Sequence, residues 1–195
     1  MELVKVAAEV GGQIDLALVH YPVCNKNGET IGSAVTNLDI HDIARAGRTF
    51  GIGTYYLVTP HEDQQQLAQE ILDHWLIGRG SVYNEKRKAA LSLVRLCASL
   101  EELYDQATAR WGIRPTILAT CARVQPNTVD YGEIRQRLTN GERFLILFGT
   151  AWGLAPEVLA SVDGMLPPIA GAADYNHLSV RSAAAIVLDR LLGER

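Results

Sequence analysis

The stretch RFLILFGTAWGLAPEVLASVDGMLPPIAGAADYNHLSVRSAAAIVLDRLL, Arg143 to Leu192, decides how this chain folds. Phe144 to Phe148 is an unbroken apolar run and reads as a buried strand. Gly149 and Gly153 bound a loop, and a short helix begins near Pro156. A loop rich in Pro, Gly and Ala runs from Leu166 to Ala173, and a strongly apolar helix starts at about Leu178. Val180, Ala184, Val187, Leu188 and Leu191 fall on one face of that helix. Leu178, Ala185, Ile186 and Leu192 carry the apolar surface round to the other side. A helix of this kind is expected to be covered twice, by its own core and by a second subunit. Two irregular loops beside a strand end offer a place where main-chain groups read a small ligand.

Upstream, the same alternation repeats. Ile14 to Val19 reads as the first buried strand, ended by His20-Tyr21-Pro22, and Asn25 to Gly28 is a turn signal in which Gly28 supplies positive φ. Asp39 is the expected N-cap of a helix with Ile40, Ile43, Ala44 and Gly47 on its inner side, closed by Gly51. Thr54 to Val58 is the second strand, and His61 to Trp75 the next helix. Ile77 to Ala89, with Arg79, Lys86, Arg87 and Lys88, has no strong period and reads as a polar, basic, mobile segment. Leu91 to Ala98 is expected as the third strand, and Ser99 with Glu102 as a capping box for the helix that follows. Thr116 to Thr120 is the fourth strand, and Asp130 to Leu138 a helix closed by Asn140-Gly141. Strands that are near-continuous apolar runs, alternating with helices, predict an α/β fold: a mostly parallel sheet with helices on both faces. Thr120 to Ala122, Gly149 to Gly153 and Leu166 to Ala173 then occupy the carboxyl rim. They converge only if their strands are neighbours.

The totals exclude several classes. The chain has 195 residues, 48% hydrophobic and 21% charged, which suits one globular domain, residues 1–195. No apolar run of about 18 residues is present, and the N-terminus lacks the pattern of a signal peptide. The 3 cysteines, Cys24, Cys97 and Cys121, follow no metal-ligand spacing. A cytoplasmic protein with free thiols is the expectation. A net charge of −4 gives no overall basic surplus, so any nucleic-acid contact must come from a local patch.

No GxGxxG follows the first strand, and no Walker A sequence, zinc signature or GxSxG elbow occurs. His20, His41, His61, His74 and His177 share no spacing. Cys121 ends a strand but has no base that the sequence can assign to it, and a small buried thiol is the plainer reading. Arg45 and Arg48, three apart on one helix, share a flank. That flank either binds phosphate or orients a substrate, or is a solvated, salt-bridged face.

Taken together, LFGTAWGL (Leu147 to Leu154), LPPIAGAADYNHLSVRSAAAI (Leu166 to Ile186) and NLDIHDIARAGRTFGI (Asn37 to Ile52) resemble the motifs of the SPOUT superfamily. These are trefoil-knotted, S-adenosylmethionine-dependent RNA methyltransferases. The chain looks closest to the bacterial branch that occurs alone or joined to a tRNA guanine-N1 methyltransferase. The resemblance implies a C-terminal trefoil knot and a homodimer formed through the knot face and C-terminal helix. It implies a cofactor site at Thr120, Cys121, Phe148, Gly149, Gly153, Leu166, Pro168, Ile169, Asn176, His177 and Leu178. It also implies an RNA substrate, tRNA or rRNA, with Arg45 orienting or activating the acceptor. Arg48, Arg79, Lys86, Arg87 and Lys88 are then the RNA-binding residues. Asn37 stands farther from Arg45 than in ribose-methylating members, and the acidic residue of guanine-N1 methyltransferases has no counterpart, so the target atom stays open. Two alternatives remain: a regulatory or RNA-binding module that keeps the cofactor pocket without catalysis, and an unrelated transferase or hydrolase using Cys121.

Overall fold

The computed structural model describes residues 12–172 and 175–194. Residues 1–11, where the N-terminus was read for a signal peptide, and Ala173 of the Pro/Gly/Ala loop lie outside the described residues. The main sheet has six strands, all pairing in parallel: β1 (Ile14–Val19), β4 (Tyr55–Val58), β5 (Val94–Cys97), β6 (Thr116–Ala119), β7 (Phe144–Gly149) and β8 (Gly164–Met165). Their spatial order is β5-β4-β1-β7-β6-β8. A separate hairpin of two-residue strands pairs β2 (Val23–Cys24) with β3 (Thr30–Ile31).

Every residue of β1 is buried, as are Phe144 to Phe148 of β7, because helices cover both faces. The period of two then sorts the side chains. Ile14, Leu16, Leu18, Leu57, Phe144, Ile146 and Phe148 pack on one side against α1 (Asn37–Phe50), α2 (Glu62–Leu76), α6 (Tyr131–Thr139) and α8 (Val180–Leu192). Ala17, Val19, Val58, Leu145 and Leu147 pack on the other, against α5 (Leu100–Trp111) and α7 (Pro156–Ser161).

The helix signals hold with shifts of a residue or two. Gly51 closes α1 in the left-handed region, at φ 74. Ser99 accepts from the Glu102 amide, and the Glu102 carboxylate reaches back to the Ala98 amide. Three expectations change. The cap of α1 is Thr36, whose hydroxyl accepts from the Asp39 amide, and Asp39 is instead a buried first-turn carboxylate. The segment expected to be mobile forms two short helices, α3 (Arg79–Tyr83) and α4 (Glu85–Leu91). Leu91 therefore ends a helix, and β5 begins only at Val94. Its apolar residues Ala90 and Leu91 pack into the core under α1, and tertiary packing overrides the β-branched bias nearby.

Candidate functional site

Because β7, β6 and β8 are neighbours, the loops leaving them lie side by side at the carboxyl rim. Leu166 donates its amide to Ala119 O at 2.8 Å, and Thr120 donates to Leu147 O at 3.0 Å, which fixes the starts of two of these loops. The third is a tight turn after Gly149, with Ala151 at φ 50 and Gly153 at φ 109. This turn is tied to the β2 strand: Cys24 N donates to Gly153 O at 2.8 Å and Trp152 N to Cys24 O at 3.0 Å. A Cβ on Gly149 would stand 2.5 Å from Leu154 N and 2.8 Å from Gly153 C. Only glycine lets the turn fold back on its own strand.

The last segment closes over this rim. Asn176 Nδ2 donates to Ala122 O at 2.6 Å, and Tyr131 OH donates to Pro167 O. Ser179 caps α8 by accepting from the Ser182 amide. Ile169, Asn176 and Leu178 line a cavity of about 340 Å³ with Ala170, Gly171, Tyr175, Ile186 and Arg190. The structure thus gathers Thr120, Cys121, Gly149, Gly153, Leu166, Pro168, Ile169, Asn176 and Leu178 at one end of the sheet. Phe148 is core beneath them, and His177 is exposed with its ring edge-on to Tyr175. Half-buried main chain between apolar walls, with glycine where the backbone must approach, fits a flat adenine edge and its ribose.

Two polar networks brace the rim, and neither was legible as a motif. In the first, the Thr150 hydroxyl donates to Val19 O at 3.0 Å, so the Ser33 hydroxyl in contact with it donates to Thr150 Oγ1. Ser33 then receives the Nδ1 proton of His20 at 2.9 Å, leaving His20 Nε2 bare and buried. Burial pushes the His20 pKa down to about 4, against a weaker upward pull from Asp39. In the second, Arg181 at the start of α8 reaches Asp39 at 3.2 Å and Asp42 at 3.4 Å, while Asp39 also accepts from Thr36 Oγ1 at 2.7 Å. This pins the N-terminal end of α8 to the N-terminal end of α1.

Each network yields a test. An imidazole held below its ordinary 6.5 stabilises the fold above pH 6.5 and loses that contribution as pH falls through about 4. Asp15, pushed up to about 6 by burial, has the opposite slope, gaining stability as pH falls from 6 toward 3.8. The His20 contribution is therefore isolated by difference. The stability gap between wild type and His20→Asn, measured by urea unfolding, is expected to shrink by about 2–3 kcal/mol between pH 7.5 and pH 4.5. For the second network, Arg181→Ala leaves the buried Asp39 carboxylate short of its cation. It is expected to cost about 1–3 kcal/mol of stability, read by urea unfolding, and to weaken ligand binding at the rim, read by calorimetric titration.

Arg45 sits elsewhere. It lies eight residues into α1 from Asn37, roughly 12 Å along the axis from the end that faces the rim. There it lines a second cavity of about 190 Å³ with Asn84, Lys86 and Arg87. Arg48, Arg79 and Lys88 are exposed and line neither cavity. Sequence reasoning missed Trp152, which stands 66% exposed on the locked Gly149 turn, and it missed Arg181 and the His20–Ser33–Thr150 chain.

A parallel sheet covered on both faces, with glycine and proline loops gathered at one end, is the arrangement in which α/β proteins take a small ligand at the carboxyl rim. The profile of a family described as SAM-dependent RNA methyltransferase matches residues 13–193, and the chain belongs to that family. S-adenosylmethionine is the family's cofactor. A tRNA (guanine-N(1)-)-methyltransferase of Oleidesulfovibrio alaskensis is 48% identical over 184 residues, 94% of this chain and 43% of that protein. A protein of Aquifex aeolicus is 40% identical over 93% of this chain and 89% of its own length. The chain spans less than half of the named tRNA methyltransferase relatives. Among solved structures, the SpoU methyltransferase AviRb of Streptomyces viridochromogenes, in complex with AdoMet, superposes with a TM-score of 0.56 at 19% identity over 93% of this chain and 57% of that one. The A. aeolicus TrmH/SpoU tRNA modifying enzyme gives 0.55 at 16% identity over 98% of this chain and 81% of that one. These likenesses establish the SPOUT-type α/β fold. Among the described residues no helix is long and apolar enough to cross a membrane, and no cluster of metal-ligating side chains occurs.

Proposed function

We propose that this chain, as a single cytoplasmic domain, transfers the methyl group of S-adenosylmethionine to a nucleotide of tRNA as a knotted homodimer. The observation that carries the reading is the convergence of the loops after β6, β7 and β8 at adjacent strand ends. When bound, the cofactor supplies an electrophilic methyl group, so the protein's task is alignment. In this reading Thr120, Cys121, Gly149, Gly153, Leu166, Pro168, Ile169, Asn176, His177 and Leu178 hold the cofactor through main chain and apolar walls, with Phe148 as the floor. Arg45 orients the acceptor nucleotide, and Arg48, Arg79, Lys86, Arg87 and Lys88 engage the RNA backbone.

Threading is supported by the surroundings of β8: Leu166, the next residue, donates its amide to Ala119 O of β6, while Met165 bonds Asn127 and Val129 on the other side. Those two flanks are opposite ends of the same loop. Dimerisation is supported by α8, whose inner face, Ala184, Val187, Leu188 and Leu191, is buried. On its outer side Ala185 and Ile186 are only half covered, next to exposed Leu178 and Tyr175.

The test is calorimetric titration with S-adenosylmethionine and S-adenosylhomocysteine, followed by transfer of labelled methyl groups to bulk tRNA. Micromolar binding with label in tRNA is the expected result. Because Arg45 stands away from the cofactor rim, a module that binds the cofactor without catalysis is the competing reading, and it predicts binding with no label in any RNA. Absence of binding by the folded dimer, with and without tRNA, would remove both.

A further inference from the structure

We propose that α3, α4 and the adjoining flank of α1 form a site for single-stranded RNA, with a phosphodiester in the Arg45–Lys86–Arg87 cavity and an unpaired base stacked on Tyr83. The inference deepens the substrate half of the proposed function and rests on it.

Three of the four residues lining the cavity, Arg45, Lys86 and Arg87, are cations, and Asn84 is the fourth. Among the described residues none of the three has a carboxylate partner, whereas Arg110, Arg114, Arg137 and Arg181 all do. In a chain of net charge −4 this is a local accumulation, not a reflection of composition. Arg87 is held in place, its guanidinium 4.5 Å from the Trp75 ring and its amide donating to Asn84 Oδ1 at 3.0 Å. At the neighbouring His41, burial first, then Arg87 and more weakly Arg45, keep the imidazole below the usual range against an upward pull from Asp42. Ordered guanidinium and ammonium groups around a small concavity suit a phosphate oxygen cluster.

Beside this cavity the chain exposes what a soluble surface normally hides. Ile77, Val82 and Tyr83 are 80%, 85% and 88% exposed, and Tyr83 immediately precedes the pocket residue Asn84. The segment carrying them is firmly seated. A Cβ on Gly80 would stand 2.6 Å from the Trp75 ring, and Asn84 N donates to Gly80 O at 3.0 Å. A rigidly based aromatic ring next to a phosphate-sized cationic pocket matches how unpaired bases are bound, by stacking plus backbone charge. A duplex hides its base faces and leaves the ring without a partner. A second copy of this chain is a poor occupant, because a two-fold contact would set the same three cations against themselves.

The probe is a fluorescein-labelled oligouridine, compared with the same strand annealed to oligoadenine and followed by anisotropy over a salt series. Tyr83→Ala is expected to weaken single-strand binding by ~5–100-fold with an unchanged salt slope, and Tyr83→Phe to restore it. Lys86→Ala is expected to weaken binding and to reduce the slope by about 0.7. Equal binding by wild type and Tyr83→Ala, equal binding of the duplex, or a dimer that Tyr83→Ala turns into a monomer would each overturn the proposal. S-adenosylhomocysteine titration of the same proteins separates the two readings. Intact cofactor binding with no Tyr83 effect removes only this inference, and lost cofactor binding in wild type removes the function on which it rests.

Discussion

Gly149→Ala is expected to lower the affinity for S-adenosylhomocysteine by about 100-fold while leaving a folded protein. The added methyl would lie 2.5 Å from Leu154 N and 2.8 Å from Gly153 C, both main-chain atoms that no rotamer change can move. The turn must open, yet it is tied to β2 through Cys24 and to β1 through Thr150, whose hydroxyl donates to Val19 O. Overpacking of this kind costs about 1–3 kcal/mol, and at a ligand-bearing turn the displacement falls on the ligand. A control separates site from stability. Gly112→Ala strains the C-cap of α5, at φ 70, and is expected to cost about 1 kcal/mol without touching cofactor affinity. Calorimetry with a parallel urea titration reads both effects. Wild-type affinity in Gly149→Ala would mean that the cofactor binds elsewhere.

Arg45→Ala is expected to leave cofactor affinity unchanged and to reduce methyl transfer by about 100-fold or more. Arg45 is surface-exposed on α1 and shares its cavity with Asn84, Lys86 and Arg87, not with the rim loops. Under the proposed function its removal leaves the rim loops intact and acts on the acceptor alone. A shift of about 1 Å in a reacting group is enough for a loss of that size. Arg45→Lys keeps the charge but not the planar fork, so partial activity is expected of it. Single-turnover transfer to bulk tRNA measures the loss. An Arg45→Ala protein with normal turnover, or with weakened cofactor binding, would take the acceptor-orienting role away from this residue.

Much of the candidate site was legible because it is made of punctuation. Glycines at 149 and 153, prolines at 167 and 168 and the Asn176–Ser179 run mark backbone that must bend at fixed places, and the structure bends it there. The bracing was not legible. His20 and Thr150 are 130 residues apart, and Asp39 and Arg181 are 142 apart, so no local pattern announces either network. The segment from Ile77 to Ala89 misled for a related reason. Its helices are shorter than the window in which a helical period shows, and α4 is held by burying Ala90 and Leu91 under α1.

By itself the sequence determined the alternation of buried strands with helices, the parallel sheet that follows from it, and the loops placed at the strand ends. These depend on side-chain period and on backbone conformations that only certain residues allow, both of which are local. Only the tertiary structure decided that β7, β6 and β8 are neighbours, so that their loops meet, and that Arg45 faces α4 and not the carboxyl rim. Strand order and helix-face pairing arise from contacts between residues far apart in the chain. Their energies depend on which surfaces fit together, and no single segment encodes that.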